Sequence, residues 1–332
     1  SIIQGNFLEY LKAKIFKAKP ALKRYSVSVI ICTKDRQREV IQCVGSIMQQ
    51  TLLPHEIIIV DSTAIDSLKD KFPNEMDGVK IKYIRTTPGT THQRNVGVRL
   101  ATGDIEIFLD DDIVLLPDFI EEIVRVYQSR KDKKIGGVMG TIVNDPAHKV
   151  SFKKRMIRKF FQMPDYGRGF FRLSGCATNP IGLKKLKRVE FLLSGITAYT
   201  KMVLDEFGFD EEYLTNYPLL EDNDFSYRVS RKYHNYYCPA AQCYHYPSLT
   251  NRLSSQEYQN LLIKNQSYLY KKNIPKKIFH NIAFKVSVFA LKNQIDKLPL
   301  SQVIGLVVEI FLGKEKVAVI RKQYKKLKFN KR

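Results

Sequence analysis

The 332-residue sequence has no run approaching the roughly 18–20 apolar residues that span a bilayer, so no transmembrane helix is expected. Its first residues, Ser1-Ile-Ile-Gln-Gly-Asn, show no basic run followed by a small-residue cleavage site, and no secretory leader is expected. Five cysteines (Cys32, Cys43, Cys176, Cys238 and Cys243) are too few, and odd in number, for a disulfide framework in so long a chain. Cys238 and Cys243 lack a second cysteine pair, so they read as buried thiols rather than zinc ligands. A reducing, cytosolic setting is the expectation. Neither Gly-x-Gly-x-x-Gly nor Gly-x-x-x-x-Gly-Lys-Ser/Thr occurs, which counts against a dinucleotide dehydrogenase and a P-loop NTPase. There is no internal repeat and no low-complexity linker. What the chain does have is apolar content, 44% hydrophobic and 11% aromatic, enough for a sizeable core in about two domains.

Acid is the scarce charge: 33 Asp and Glu against 55 Lys and Arg, a net +22. The excess is concentrated. Residues 149–188 hold twelve Lys/Arg and a single acid, Asp165; residues 251–332 hold eighteen against four, Glu257, Asp296, Glu309 and Glu315. The remainder is close to neutral. Two basic segments on a neutral body point to phosphate-rich partners: a membrane surface, nucleic acid or an anionic substrate.

Periodicity divides the chain. Residues 1–25 carry Ile3, Phe7, Leu8, Leu11, Ile15 and Phe16 at helical spacing up to Pro20. From 26 onward, buried-strand runs at 27–33, 56–60, 79–85 and 104–109 alternate with helical patterns at 36–50, 88–101 and 117–128. That alternation specifies an α/β fold with a mostly parallel sheet and helices on both faces. Residues 141–188 are basic, aromatic and glycine-punctuated. A strand-like run at 189–200, a helix to Phe207, a helix over 221–232 and two short strands at 235–238 and 241–246 follow. Beyond Ser248 the pattern is helical and amphipathic, with apolar stripes at Phe279, Ile282, Ala283, Val286 and Phe289, and at Val303, Leu306, Val307, Ile310 and Phe311. The expected divisions are thus 1–25, 26–248 (halves 26–140 and 141–248, with a basic insertion at 149–188) and a basic helical region over 249–332.

In an open parallel sheet, ligands bind beyond the carboxyl ends of the strands. Those ends carry Thr33-Lys-Asp-Arg36, Asp61-Ser62 and Asp110-Asp111-Asp112. Three consecutive acids repel one another and stay ionised together only where a cation or solvent offsets the repulsion. Carboxylate oxygens with phosphates suit Mg²⁺ or Mn²⁺.

Taken in order, Val27-Ser-Val-Ile-Ile-Cys-Thr-Lys-Asp-Arg36, Glu56-Ile-Ile-Ile-Val-Asp61-Ser62, Gln93-Arg-Asn-Val-Gly97, Ala101-Thr-Gly-Asp104, Phe108-Leu-Asp-Asp-Asp112 and Leu220-Glu-Asp-Asn-Asp-Phe-Ser-Tyr-Arg228 resemble glycosyltransferase family 2, inverting sugar-nucleotide transferases of the Rossmann-like GT-A fold. The resemblance covers about residues 26–247. It implies that Thr33, Asp35, Arg36, Asp61, Arg94, Asn95, Asp110 and Asp111 contribute to nucleotide-sugar binding, with Asp61 on the base and Arg94 by the diphosphate. It further implies metal ligation by Asp112 and Asp110, with His245 a ligand in some relatives, and a catalytic carboxylate at Asp222 with Glu221 the alternative base. Two departures stand out: Asp61-Ser-Thr-Ala replaces the usual Asp-Asp-Gly-Ser, and Lys34-Asp35 replaces Tyr-Asn in the first loop. Plainer readings coexist. Arg36 suits a solvated helix start, Asp61 a cap, Arg94 a partner for a structural carboxylate, Asp222 a surface acid, and His245 a core or capping imidazole.

The implied reaction is transfer of a sugar from a nucleotide-diphosphate donor, a UDP-sugar foremost, to a hydroxyl of a glycan or lipid-linked acceptor, with Mn²⁺ or Mg²⁺. Tyr166, Phe170 and Phe171 with Gly167 and Gly169 are expected to form a mobile sugar-stacking lid. The basic C-terminal stripes are expected either to lie on the inner face of a membrane or to pack on the body or on a second copy. The competing classes are a nucleic-acid-binding protein, suggested by charge alone, and a sugar nucleotidyltransferase, which needs an early Gly-rich loop that is not there. No nucleic-acid partner is expected.

Overall fold

Every residue of Val27–Thr33 except Cys32 is buried, because helices cover both faces of the strand it forms. This strand, β1, belongs to a computed structural model that describes residues 25–304 apart from 65–67, 69, 130–133, 147–149, 214–218, 249–252 and 300. The proposed helix over residues 1–25 and most of the second C-terminal stripe lie outside the described residues. In chain order the structure continues with α1 (Gln37–Ile47), β2 (Glu56–Asp61), β3 (Glu75–Met76), β4 (Val79–Arg85), α2 (Thr90–Leu100), β5 (Ile105–Asp110), β6 (Ile113–Leu115), α3 (Phe119–Ser129) and β7 (Ile135–Ile142). Then come α4 (Phe152–Phe160), β8 (Asp165–Tyr166), β9 (Thr178–Asn179), β10 (Lys187–Val189), β11 (Ile196–Thr200), α5 (Lys201–Phe207), α6 (Glu221–Ser230), β12 (His234–His245), α7 (Ser255–Asn273) and α8 (Ile278–Lys292).

The main sheet runs β10-β12-β7-β11-β5-β1-β2-β4-β3, with β6 on β12. β4, β2, β1 and β5 are parallel. β11 is antiparallel to both β5 and β7. Chain order reverses direction across β1, since β2 follows on one side and β5 on the other. That is the switch point at which a crevice opens beyond the strand ends. Register places Cys32 beside Asp110 and Thr33 beside Asp61, so both strand-end motifs surround one crevice. α2 approaches β1 closely at Gly97, where a Cβ would stand 2.4 Å from Ile30 Cγ2.

Several expectations are refined. The run at 189–200 divides into β10 and β11, which lie apart in the sheet, because residues 190–195 leave the ladder to pass the crevice. The two short strands expected at 235–246 are one strand, β12. Its register on β7 shifts between Tyr237 and Gln242, around Pro239, which has no N–H to give a ladder. Within the basic 149–188 segment, helix α4 buries Ile157 and leads into a second cluster where Ile157, Phe161 and Met163 pack on Ala290, Leu291 and Ile295. A capping box, Ser254 with Glu257, starts α7. The stripe expected on α8 splits. Ala283 is buried and Val286 and Phe289 pack against the body, while Phe279 and Ile282 are exposed. No helix among the described residues is long and apolar enough to cross a membrane. All five cysteines are free thiols, four of them buried.

Candidate active site

Asp111, the middle acid after β5, is buried and used internally. Thr33 Oγ1 donates to its Oδ2 at 2.8 Å and Arg36 Nη1 to its Oδ1 at 2.9 Å. Burial pushes its carboxyl up to about 6 even though Arg36 and Thr33 pull the other way. Arg36 therefore joins the first loop to the acid turn. Asp35, at φ 57 in the left-handed region that Asp tolerates, donates its backbone N–H to Thr63 Oγ1 at 2.8 Å.

The flanking acids are placed differently. Asp112 Oδ1 lies 3.1 Å from His245 Nε2, and its Oδ2 accepts the Ser248 N–H at 3.2 Å. Burial alone would raise this carboxyl, but His245, Ser248 and Arg36 more than offset it and hold it below the usual range. Tyr246 N–H donates to the Asp112 carbonyl, so the chain leaving β12 is fastened to the acid turn. Asp110 has a half-exposed side chain lying against Gly195, whose carbonyl accepts the Asp110 N–H. A Cβ on Gly195 would stand 2.1 Å from Asp110 Oδ2, so any larger residue there must displace that carboxylate.

Arg94, on α2, is buried. Its Nη1 donates to Glu221 Oε1 at 2.8 Å, its Nη2 is 3.6 Å from Asp110 Oδ1, and its guanidinium lies over Phe209 with 5.4 Å from Cζ to the ring centroid. The plainer reading of this residue, a partner for carboxylates, is the arrangement found. Asn95 is likewise engaged: its amide donates to Phe209 O and Glu211 Oε1 and accepts the Phe209 N–H. Asp61 is fully buried, and its carboxylate accepts Thr63 N–H at 2.8 Å, Thr63 Oγ1 at 2.5 Å and Tyr83 OH at 2.9 Å, an Asx-type turn that shapes the loop.

The acid pair opens α6. Leu220, just before it, adopts φ 71 and ψ 12, a strained conformation for a bulky residue and a frequent mark of functional turns. Negative side chains in the first turn also suit the positive end of the helix. Glu221 is held by Arg94. Asp222 is 9% exposed and, among the described residues, accepts only the Asn223 N–H at 2.7 Å. Burial pushes Asp222 well above the ordinary carboxylate range, and the charge of Glu221 adds to the shift while Arg94 opposes it. Asp224 is structural, bound by Arg228, Lys272 and Asn273.

A cleft of about 720 Å³ adjoins this turn. Leu220 and Asn223, on either side of the acid pair, line it together with Tyr166, Asp165, Met163 and Tyr258. Of the expected lid, Tyr166 faces this cleft, Phe171 is wedged edge-on against Phe191 and Tyr227, and Phe170 is exposed.

Two supporting residues escaped sequence reasoning. Gln93 Nε2 donates to both Thr33 O and Val60 O, tying the ends of β1 and β2. Gly195 carries Asp110; its only signal is a glycine directly before a β-branched strand.

The crevice at the switch point thus brings together an acid turn with a histidine beside it and an acid pair opening a facing helix, within an α/β architecture that matches GT-A glycosyltransferase structures. Residues 28–183, from β1 through β9, match the sequence model of Glycosyl transferase family 2. Among curated relatives, a glucosyl-dolichyl phosphate glucuronosyltransferase of Haloferax volcanii is 33% identical over 124 residues, 36% of this chain and 39% of that one. A dolichol-phosphate mannosyltransferase of Pyrococcus furiosus is 29% identical over 202 residues, 55% of this chain and 56% of that one. The chain thus matches less than two thirds of either relative. In fold it is similar to GalNAc-T7 solved with UDP, GalNAc and Mn²⁺ (TM-score 0.60, 17% identity, 85% of this chain and 52% of that chain). It is also similar to the mannosyltransferase PcManGT of Pyrobaculum calidifontis in complex with GDP-Man and Mn²⁺ (TM-score 0.53, 16% identity, 93% and 88%).

Proposed function

We propose that this chain transfers a sugar from a nucleotide-diphosphate donor to a hydroxyl of a glycan or lipid-linked acceptor by a single displacement that inverts the anomeric centre. The observation that carries this reading is the unequal treatment of the two acids opening α6. Glu221 is neutralised by Arg94 at 2.8 Å, whereas Asp222 is buried with no cation at hydrogen-bond distance among the described residues, and its proton affinity is raised. In its ionised form, a carboxylate whose proton affinity is raised is the stronger base towards an acceptor hydroxyl.

The acceptor oxygen attacks the anomeric carbon, its proton passes to Asp222, and the bond from that carbon to the phosphate oxygen breaks with its electrons leaving on the nucleoside diphosphate. Arg94, already buried between Glu221 and Asp110, keeps the surrounding acids compensated while Asp222 works. Asp61, Asp35 and Thr63 shape the loop beneath the nucleoside, and Arg36 with Thr33 holds Asp111. The residues present fit a divalent cation. Asp112 and His245 are already 3.1 Å apart, with Asp110 on the same turn, and among the described residues no three such groups form a complete cage. A small set of oxygen and nitrogen donors completed by substrate phosphates suits Mn²⁺ or Mg²⁺. When bound, such an ion would offset the charge developing on the diphosphate.

The 720 Å³ cleft beside Leu220 and Asn223 is the proposed acceptor side. The names of the Haloferax and Pyrococcus relatives support a lipid-linked acceptor, and a place at the inner face of a membrane accords with it. Thermal unfolding with UDP-, GDP- and dTDP-sugars, each with and without Mn²⁺, tests the reading. One donor should raise the melting temperature in an ion-dependent way, since ligand at 100 times its Kd adds about 2.7 kcal/mol. No shift with any donor contradicts it.

A further inference from the structure

Helix α4, Phe152–Phe160 in the basic insertion, has the sequence Phe-Lys-Lys-Arg-Met-Ile-Arg-Lys-Phe: five cations and no acid. One side of it is accounted for. Ile157 is buried with Phe161 against Ala290, Leu291 and Ile295, and Lys154 and Arg158 reach Asp296. The opposite side is not polar. Phe152 is 78% exposed, Met156 50% and Phe160 59%. Spaced by four, they form one stripe, each about 40° further round the helix than the last at about 100° per residue. On the same wheel Lys159 and Arg155 border the stripe on one side and Lys153 on the other. Large exposed apolar side chains cost solubility and mark a surface that something covers.

We propose that α4 is an interfacial helix that seats this chain on an anionic lipid bilayer. Phenylalanine and methionine enter the boundary between headgroups and acyl chains, while the bordering cations meet lipid phosphates. A second copy of the chain is the poorer occupant, because a symmetric contact would set this acid-free helix against itself. A nucleic acid would use the cations but leave the aliphatic Met156 and the depth of the stripe unexplained. The sequence pattern alone had placed membrane contact in the C-terminal stripes; the fold turns part of that surface inward and leaves α4 outward. α8 adds exposed Ile278, Phe279 and Ile282 beside Lys276 and Lys277.

Position gives the seat a use. Arg158, Met163, Asp165 and Tyr166, on or just after α4, line the cleft beside the acid pair. Docking α4 would hold that cleft close to the bilayer, where a lipid-linked hydroxyl would be presented. The docking itself stands independently of the proposed reaction.

Vesicle co-sedimentation of the full chain tests it, using phosphatidylcholine vesicles with and without about 30% phosphatidylglycerol. The wild type should bind only the anionic vesicles. Phe152→Ser with Phe160→Ser should weaken that partition at least about tenfold, and Lys153→Gln with Lys159→Gln should weaken it and reduce its salt dependence. Met202→Ser, an exposed apolar residue on α5, should leave it unchanged. Unchanged melting temperatures show that the variants fold. Failure of the wild type to bind, equal binding to neutral vesicles, or full binding by both α4 variants overturns the proposal. So does a wild-type dimer that the phenylalanine variant makes monomeric while vesicle binding persists, or retention by single-stranded DNA that competes vesicles away and needs only the lysines.

Discussion

Arg94 on α2 donates to Glu221 at the start of α6 at 2.8 Å, 127 positions away in sequence, and this buried ion pair engages one of two adjacent acids directly. The guanidinium also faces Asp110 at 3.6 Å, so one cation links the acid turn after β5 to the acid pair.

Removing that cation should be costly. Arg94→Met leaves Glu221, Asp222 and Asp110 uncompensated in a buried setting, and the loss of stability should be about 3–5 kcal/mol. Adding Glu221→Gln to Arg94→Met should recover much of it. Chemical denaturation of the wild type, both single variants and the double variant measures the coupling; additive losses would mean that the pair is not the reason Arg94 is buried.

Gly195 should behave as part of the metal-side machinery although it has no functional group. Gly195→Ala forces Asp110 aside, because the added Cβ has 2.1 Å to Oδ2. Calorimetric titration of the donor with Mn²⁺ should show Gly195→Ala and Asp110→Ala losing affinity alike, and the double variant losing no more than either. A Gly195→Ala protein with undiminished affinity would show that Asp110 is free to move without consequence.

His245→Ala should lower Mn²⁺-dependent donor affinity while leaving the weaker Mn²⁺-independent binding as it is, given its 3.1 Å approach to Asp112. The same titration, run with and without the ion, decides it. Equal losses under both conditions would assign His245 to structure alone.

Glu106 in β5 is fully buried, neither carboxylate oxygen has a hydrogen-bond partner among the described residues, and Lys201 Nζ is 3.9 Å away. Burial pushes its carboxyl from the ordinary 4.5 up to about 8, against the pull of Lys201. A raised acid keeps its proton in the folded state where the unfolded chain has lost it. Its contribution is therefore complete below about 4.5 and is lost as pH rises towards 8. Melting curves from pH 5 to 9 should show the wild type falling relative to Glu106→Gln by a few °C, with the gap levelling above pH 8. A constant gap would contradict the shift.

Much of this was legible before any coordinates. β1, β2, β4 and β5 are short apolar runs that end in polar residues, and local pattern suffices for such elements; the acid turn is read the same way, whereas the acid pair is singled out only by the family resemblance. What escaped depends on distance in sequence. Nothing near Arg94 announces Glu221, nothing near Asp61 announces Tyr83, and Asn95 lies beside a family arginine yet serves Phe209 and Glu211. The division of 189–200 into β10 and β11 depends on which neighbours each half finds, not on its own residues. The outward stripe of α4 is visible in its sequence, but that it is outward rather than packed is decided by which of its faces Ala290 and Ile295 cover.

The reading of the site as a whole turns on turnover in two variants of one helix start. Asp222→Asn keeps the shape and the hydrogen bond to the Asn223 N–H but removes the proton acceptor. Donor and Mn²⁺ affinity should survive while turnover falls by about 10²–10⁴, the usual contribution of a general base. Glu221→Gln, which mainly loosens Arg94, should retain most of the rate. If Glu221→Gln is the inactive protein and Asp222→Asn the active one, the base is misassigned; if both remain active, a single displacement driven from the start of α6 is not the reaction this chain performs.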